Sequence, residues 1–306
     1  MHDGPDRSSR WGLLEVHAAV ALFGLTALFG KFLLLAPFTI VLGRTATAAV
    51  ALGAYLLLWR RRELGWRWRA VPLLLVSGLL LGLHWATFFQ AVQVSTVAIA
   101  LLTYSSFPLF VALLEPLLYR ERFRAFDLAT ALLVLGGLAL IVPRFDTANS
   151  VTQGAGWGVL SGLLFAALSL LNRTLIQTHA AALLSFVQIT VAAVVCLPLG
   201  IWFAGETFPS ARDCGLLVVL GVVCTALPHT LFNMALAHIR AGTAAVIVTL
   251  ESVYGIVFAY ALLQERPAPR TLLGGAVLLF AVLLATLFRA APLRAKPSAP
   301  LFHEEV

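Results

Sequence analysis

Charged side chains are scarce in this 306-residue chain: Asp, Glu, Lys and Arg make up 11% of it, against about 25% in soluble domains. So little charge cannot cover a water-facing surface, and 60% of the residues are hydrophobic, with a mean hydropathy of +0.94. The short alternating strands of a membrane barrel are missing too. The apolar runs last about 17 to 25 residues, the length of a helix that crosses a bilayer. Cysteine is rare: Cys196, Cys214 and Cys224 match no metal or redox spacing and read as packing residues. No G-x-x-x-x-G-K-[ST] is present, which excludes ATP hydrolysis by the chain itself. Neither an H-E-x-x-H nor an aspartate-rich pair offers the metal or acid–base cluster of an intramembrane lipid-modifying enzyme. The chain is therefore expected to be no enzyme and to need no cofactor or metal. The opening MHDGPDRSSRWG has no apolar core with a cleavage site, so no signal peptide is expected. A net charge of +7 fits basic loops against an anionic leaflet better than a nucleic-acid partner.

What the chain has is ten apolar segments, at about 13–30, 37–59, 71–92, 95–119, 126–142, 154–172, 181–203, 214–237, 243–263 and 271–288. They predict an all-α integral membrane protein of ten transmembrane helices. With the N-terminus inside, fifteen Lys and Arg fall in inside segments and five outside, leaving Arg44 within the second span. That bias places both tails, 1–12 and 289–306, in the cytoplasm.

The polar stretch 144–153 divides the segments five and five. Aligning Glu121-Arg122 with Glu265-Arg266 sets Pro108 against Ser252 and Phe107 against Glu251. It also puts a glycine pair in each following segment, Gly136-Gly137 and Gly274-Gly275. An odd number of helices per half turns the second copy over. The expected architecture is thus two inverted-topology five-helix repeats, 13–143 and 154–288, around a central cavity, as in many secondary transporters.

The pieces FPLFVALLEPLLYRER and TLESVYGIVFAYALLQER resemble the two halves of EamA-type members of the drug/metabolite transporter superfamily. GLTALFGK, Arg44 after Pro37 and ALAHIRAGTAAV add to the resemblance. It implies a bacterial inner (plasma) membrane carrier whose cavity is walled by segments one, three, four, six, eight and nine. Among the superfamily's members, the aromatic lining is most similar to exporters of aromatic amino acids. Ser252 departs from the proline that often follows the glutamate in the family, which predicts loss of a kink.

A carboxylate at the depth of Glu251 costs roughly 2.5 kcal/mol or more, which marks it as a functional candidate. His229 sits at matching depth in the eighth segment and is its expected partner, either in proton transfer or as a structural lock. Asn233 lies one turn from His229, and Tyr254 one turn from Glu251. LHWATFFQ puts His84 and Phe88 on one face of the third segment, with Trp85 and Phe89 on the next. Tyr104 precedes Pro108, whose ring frees a carbonyl to line a cavity. Trp157, Ser161 and Phe165 form a stripe that suits either close packing or stacking against an aromatic solute. Arg44 and Glu115 read as gating residues, Arg44 with the further option of anchoring a carboxylate. Lys31 reads as a snorkelling residue at the outer face. Together these predict a monomeric secondary transporter for small organic metabolites, aromatic or neutral amino acids first. A sugar-phosphate, nucleotide-sugar or multidrug carrier of the same superfamily is the alternative.

Overall fold

In the computed structural model, residues 7–61, 65, 70–119, 125–142, 146–175, 179–204, 209–238 and 247–289 are described. Among them there is no strand. The first span is α1 (Arg7–Thr26) with a short α2 (Phe29–Phe32), then come α3 (Pro37–Trp59) and α4 (Val71–Val94). The fourth apolar segment is split into α5 (Val97–Tyr104) and α6 (Phe107–Tyr119), followed by α7 (Ala125–Ile141). The second half holds α8 (Ser150–Leu175), α9 (Ala181–Ala204), and α10 (Ala211–Gly221) joined through a π-helical stretch at Val222–Ala226 to α11 (Leu227–His238). It ends with α12 (Glu251–Leu263) and α13 (Pro269–Arg289).

Six helical spans are long and apolar enough to cross a membrane, Trp11–Phe32, Pro37–Trp59, Val71–Val94, Ser150–Asn172, Ala182–Phe203 and Ala211–Phe232, with shorter apolar helices beside them. The chain is a multi-pass membrane protein. Its outer surface agrees: Val50, Leu58, Val194 and Ile201 are all more than 60% exposed, an arrangement that only lipid makes favourable. Trp59 and Trp202 stand exposed near helix ends, where amphipathic rings favour the interface.

Local sequence explains the ends. Pro37 opens α3, where a missing N–H costs nothing. Ser210 and Asp213 form a reciprocal capping box at the start of α10. Gln264 closes α12 in the left-handed region, at φ 57°.

The helices pack in a paired pattern. α4 lies on α8 and α1 on α11, α5 on α8 and α1 on α12, α4 on α9 and α3 on α10. α3 also packs on α9, α7 on α13, and α5 on α12. Two glycines set the α7–α13 crossing: a Cβ on Gly137 would stand 2.8 Å from the Gly274 carbonyl oxygen, and one on Gly274 2.7 Å from that of Gly137. Neither backbone can retreat without unpacking the pair.

The split of the fourth segment falls at Ser105–Ser106, just before Pro108. The ninth segment also breaks, at Thr249–Leu250, so that Glu251 opens α12. This corrects the expectation drawn from Ser252. The interruption survives without the proline, because the chain turns two residues earlier. Gly137→Leu should force α7 and α13 apart and lower stability by about 1–3 kcal/mol; thermal unfolding of the detergent-purified protein checks it.

Candidate functional site

The third-segment pattern holds in three dimensions. On one face of α4, the His84 ring lies 5.3 Å from Tyr104 and 5.0 Å from Phe165, with Phe88 5.7 Å from Tyr104. Phe107, at the start of α6, stacks on Tyr104 at 5.6 Å and meets Phe165 edge-on at 5.1 Å. His84 is fixed by Ser161 of α8: its Nδ1 is 2.8 Å from the Ser161 hydroxyl, which is also 3.1 Å from the His84 carbonyl oxygen. Ser161 thus serves as the clasp between α4 and α8 and is fully buried.

The neighbouring face of α4 carries Trp85 and Phe89, and over them lies Arg44 of α3. The guanidinium carbon is 4.1 Å from the Trp85 ring centre and 5.5 Å from that of Phe89, a cation–π stack. Arg44 is 1% exposed. Its Nε and Nη2 donate to the Thr225 hydroxyl at 3.1 and 2.7 Å, while that hydroxyl donates to the Leu220 carbonyl at 2.7 Å. The second segment was not among the expected cavity walls, yet its Arg44 is interior, and among the described residues no carboxylate pairs with it.

Thr225 reaches Arg44 because the helix is wound as π there. Pro228 has no N–H and cannot bond the Cys224 carbonyl one turn back. The Thr26 hydroxyl of α1 reaches that carbonyl instead, at 3.2 Å, sharing its one hydrogen with the Leu22 carbonyl at 3.1 Å. The Leu227 amide bonds back to Val222 rather than Val223, which inserts the extra residue. Gly221, just before the π stretch, lets α3 come close: a Cβ there would collide with Thr47 and the Arg44 carbonyl.

His229 follows one turn later. Its Nδ1 is 2.8 Å from the Thr225 carbonyl, and its ring meets Phe23 at 5.1 Å and Trp85 at 6.1 Å, both edge-on. Among the described residues no hydrogen bond or ion pair joins His229 to Glu251. Glu251 is partly buried and in electrostatic reach of both Arg44 and Tyr104. The two broken helices touch beside it: the Ser105 and Ser252 hydroxyls are 2.6 Å apart, and both reach the Leu101 carbonyl. Gly24 of α1 presses on the Glu251 carbonyl, and Gly162 of α8 on that of Tyr104, each at 2.9 Å from where a Cβ would stand.

His84, Trp85, Phe88, Tyr104, Ser161, Phe165, His229, Glu251 and Arg44 therefore converge. Trp157 does not join them: it is 39% exposed and, among the described residues, has no ring contact with the cluster. Tyr254 faces α1, where its hydroxyl is 2.9 Å from His17 Nδ1. Asn233 and Glu115 lie in α11 and α6, and their side chains fall outside the described residues. Residues not singled out from sequence are His17, Phe23 and Thr225. Only Thr225 carried a signal, the proline three residues beyond it.

At one end of the bundle, Lys31 does not snorkel. Its Nζ donates to the Ser95 carbonyl at 2.6 Å. Glu265 caps α5 by accepting from the Val97 amide at 3.0 Å. Burial pushes the Glu265 carboxyl above its ordinary range, against the pull of Lys31 and the Val97 and Ala98 amides. Lys31 of α2, the Ser95 carbonyl at the end of α4, the start of α5 and the residue just past α12 thus meet there, held by these two hydrogen bonds and the electrostatic pull between Lys31 and Glu265. Thr26→Val would orphan the Cys224 carbonyl and cost about 1–3 kcal/mol, measurable as a lower unfolding temperature.

Comparison with known proteins fits this arrangement. The EamA-like transporter family model matches twice, over residues 10–142 and 152–287. "Uncharacterized transporter YxxF" of Bacillus subtilis is 26% identical over 94% of both chains. "Pseudopaline exporter CntI" of Pseudomonas aeruginosa is 29% identical over 74% of this chain and 78% of that one. "Probable biotin transporter" of Pseudomonas aeruginosa is 31% identical over 69% and 78%. A solved crystal structure superposes with a TM-score of 0.64 over 93% of this chain and 98% of the other, at 16% identity, a likeness of fold alone. The named relatives are transporters and not enzymes, and this chain belongs to the EamA-like transporter family.

Proposed function

We propose that the protein is a secondary transporter that moves small organic metabolites, aromatic or neutral amino acids first, by alternating access. The observation that carries this reading is the ring-lined cluster of His84, Phe88, Tyr104, Phe107 and Phe165, set where both broken helices interrupt. Flat apolar faces with hydroxyl and imidazole groups among them suit an amphipathic aromatic solute. Unwound backbone at a membrane midplane is the usual place for a transported ligand.

Ten helices in two inverted repeats, 13–143 and 154–288 joined by 144–153, supply the motion. Supporting this, the contact pairs exchange when segments one to five trade places with six to ten: α4 on α8 becomes α11 on α1, and α5 on α8 becomes α12 on α1. Phe107 and Glu251, matched in the sequence alignment, each open the second piece of a broken helix. The excess of Arg and Lys on one side favours cytoplasmic tails in a bacterial inner membrane. One cavity per chain makes a monomer sufficient.

The relatives named for pseudopaline export and biotin transport support a small organic metabolite and leave its identity to experiment. Among the described residues Arg44 is the sole fully buried cation, which disfavours sugar-phosphates and nucleotide sugars, whose phosphates call for several. Lys31 and Glu265, on the outer side in this topology, act as a latch between the halves.

Flux through purified protein in liposomes, across an amino-acid and metabolite panel with and without a proton gradient, tests the reading. Transport of at least one amphipathic solute is expected, and no flux for any member would sink it. Trp85→Ala and Glu251→Gln should each reduce flux at least about tenfold while expression holds, since each removes an interior charge or ring contact of about 1.5 kcal/mol or more. Lys31→Met should make a cysteine placed at Ser95 react faster with a membrane-impermeant thiol reagent added from outside; an unchanged rate would discard the latch.

A further inference from the structure

We infer that Arg44 is the carboxylate-binding point of the substrate site, so that the transported solute carries a carboxylate. This rests on the transporter reading above and narrows its substrate class.

The arginine is prepared for an anion that is not part of the chain. Its side edge, Nε and Nη2, is spent on the Thr225 hydroxyl, which takes both bonds on one oxygen. Its plane is clamped over Trp85 at 4.1 Å. The end edge is unspent: Nη1 is buried and has no hydrogen-bond partner among the described residues. A guanidinium hidden from water normally donates from both edges, because an unmatched buried cation is costly. A carboxylate matches the donors of that edge, since two oxygens span Nη1 and the outer hydrogen of Nη2.

The surroundings point to a ligand rather than an internal ion pair. Glu251 is in electrostatic reach of Arg44 yet outside ion-pair distance. Its helix opens beside the Ser105–Ser252 contact, and Gly24 presses on its carbonyl, which holds the start of α12 in place. The rings of His84, Tyr104 and Phe165 begin on the adjacent face of α4, one residue along from Trp85. A solute whose carboxylate met Arg44 would have its apolar body beside those rings. The local fold is built around this one side chain: Gly221 admits α3, Pro228 with the π turn brings Thr225 to Nε, and Thr26 takes the carbonyl that the proline frees.

Matched acids and amides give the test. The unfolding temperature of the detergent-purified full chain is followed against benzoate, phenylacetate and L-phenylalanine, and against benzamide, phenylacetamide and L-phenylalaninamide. The acids should stabilise the protein and the amides should not. Arg44→Gln should weaken the acid effect about tenfold or more, the loss of a hydrogen bond to a charged group. Thr225→Val keeps the cation and removes its tether, and should weaken the effect in a protein that still folds. Equal shifts for acids and amides, no shift with any acid, or an acid-specific shift that persists in both variants would each overturn the inference. Liposome flux separates it from the transporter reading: flux of carboxylate-free solutes, unaltered in Arg44→Gln, rejects this site and keeps the transporter. Acid binding without flux of any solute does the reverse.

Discussion

Inside a bilayer, every backbone carbonyl released from a helix and every buried charge must find its partner within the protein, and the interior of this bundle follows from that constraint. Three of the interruptions in its interior spans are each answered by a neighbour. The carbonyl freed by Pro228 is taken by Thr26 of α1. The break before Pro108 is met by α8, where Gly162 lets the backbone approach the Tyr104 carbonyl. The break before Glu251 is met by α1 through Gly24 and by α5 through Ser105. The same helices that repair the breaks form the walls of the candidate site. Site and repair are therefore one structure, in which the irregular backbone is kept out of lipid.

Arg44 is the exception that gives the site its direction. Aromatic stacking and the Thr225 hydroxyl lower the cost of burying a guanidinium but do not remove it, because neither brings a negative charge. Glu251 supplies a distant attraction only. A protein of this size tolerates such an unmatched group more easily where something else gains by it, and a bound anion is what would gain. The two carboxylates differ accordingly. Glu265, near a loop, is matched to Lys31 and to amides of α5 and holds elements together. Glu251, in the interior, has no hydrogen bond or ion pair from its side chain among the described residues.

Much of this was legible in the sequence, for physical reasons. Apolar run length gave the spans, because membrane thickness fixes it. The spacing of His84, Trp85, Phe88 and Phe89 gave two faces of one helix, because the helical period is rigid, and both faces are found as expected. Depth counting paired Glu251 with His229, and there it failed. Depth along an axis says nothing about rotation, and His229 turns back to the Thr225 carbonyl of its own π-wound helix. Arg44 was left out of the expected cavity walls for a related reason: a span with one charged residue does not reveal which neighbour comes close. That depended on Gly221, where the absence of a Cβ, on another helix far along the chain, makes room. Lys31 seemed a snorkeller because only its own helix was in view; its acceptor is the carbonyl of Ser95, sixty-four residues on.

The two halves also show where a duplicated fold can differ without losing its architecture. Phe107 and Glu251 open equivalent half-helices, yet one stacks on Tyr104 and the other carries a charge. Backbone breaks, glycine contacts and helix pairs are shared, since these decide whether the spans pack at all. The side chain that opens each half-helix is not bound by that requirement. A ring suits the half that faces Tyr104 and Phe165, and a carboxylate suits the half that faces the buried cation. The two half-helices thus bring an apolar ring and a carboxylate toward the same interior, and in the reading proposed above that polarity lets an amphipathic solute bind in one orientation.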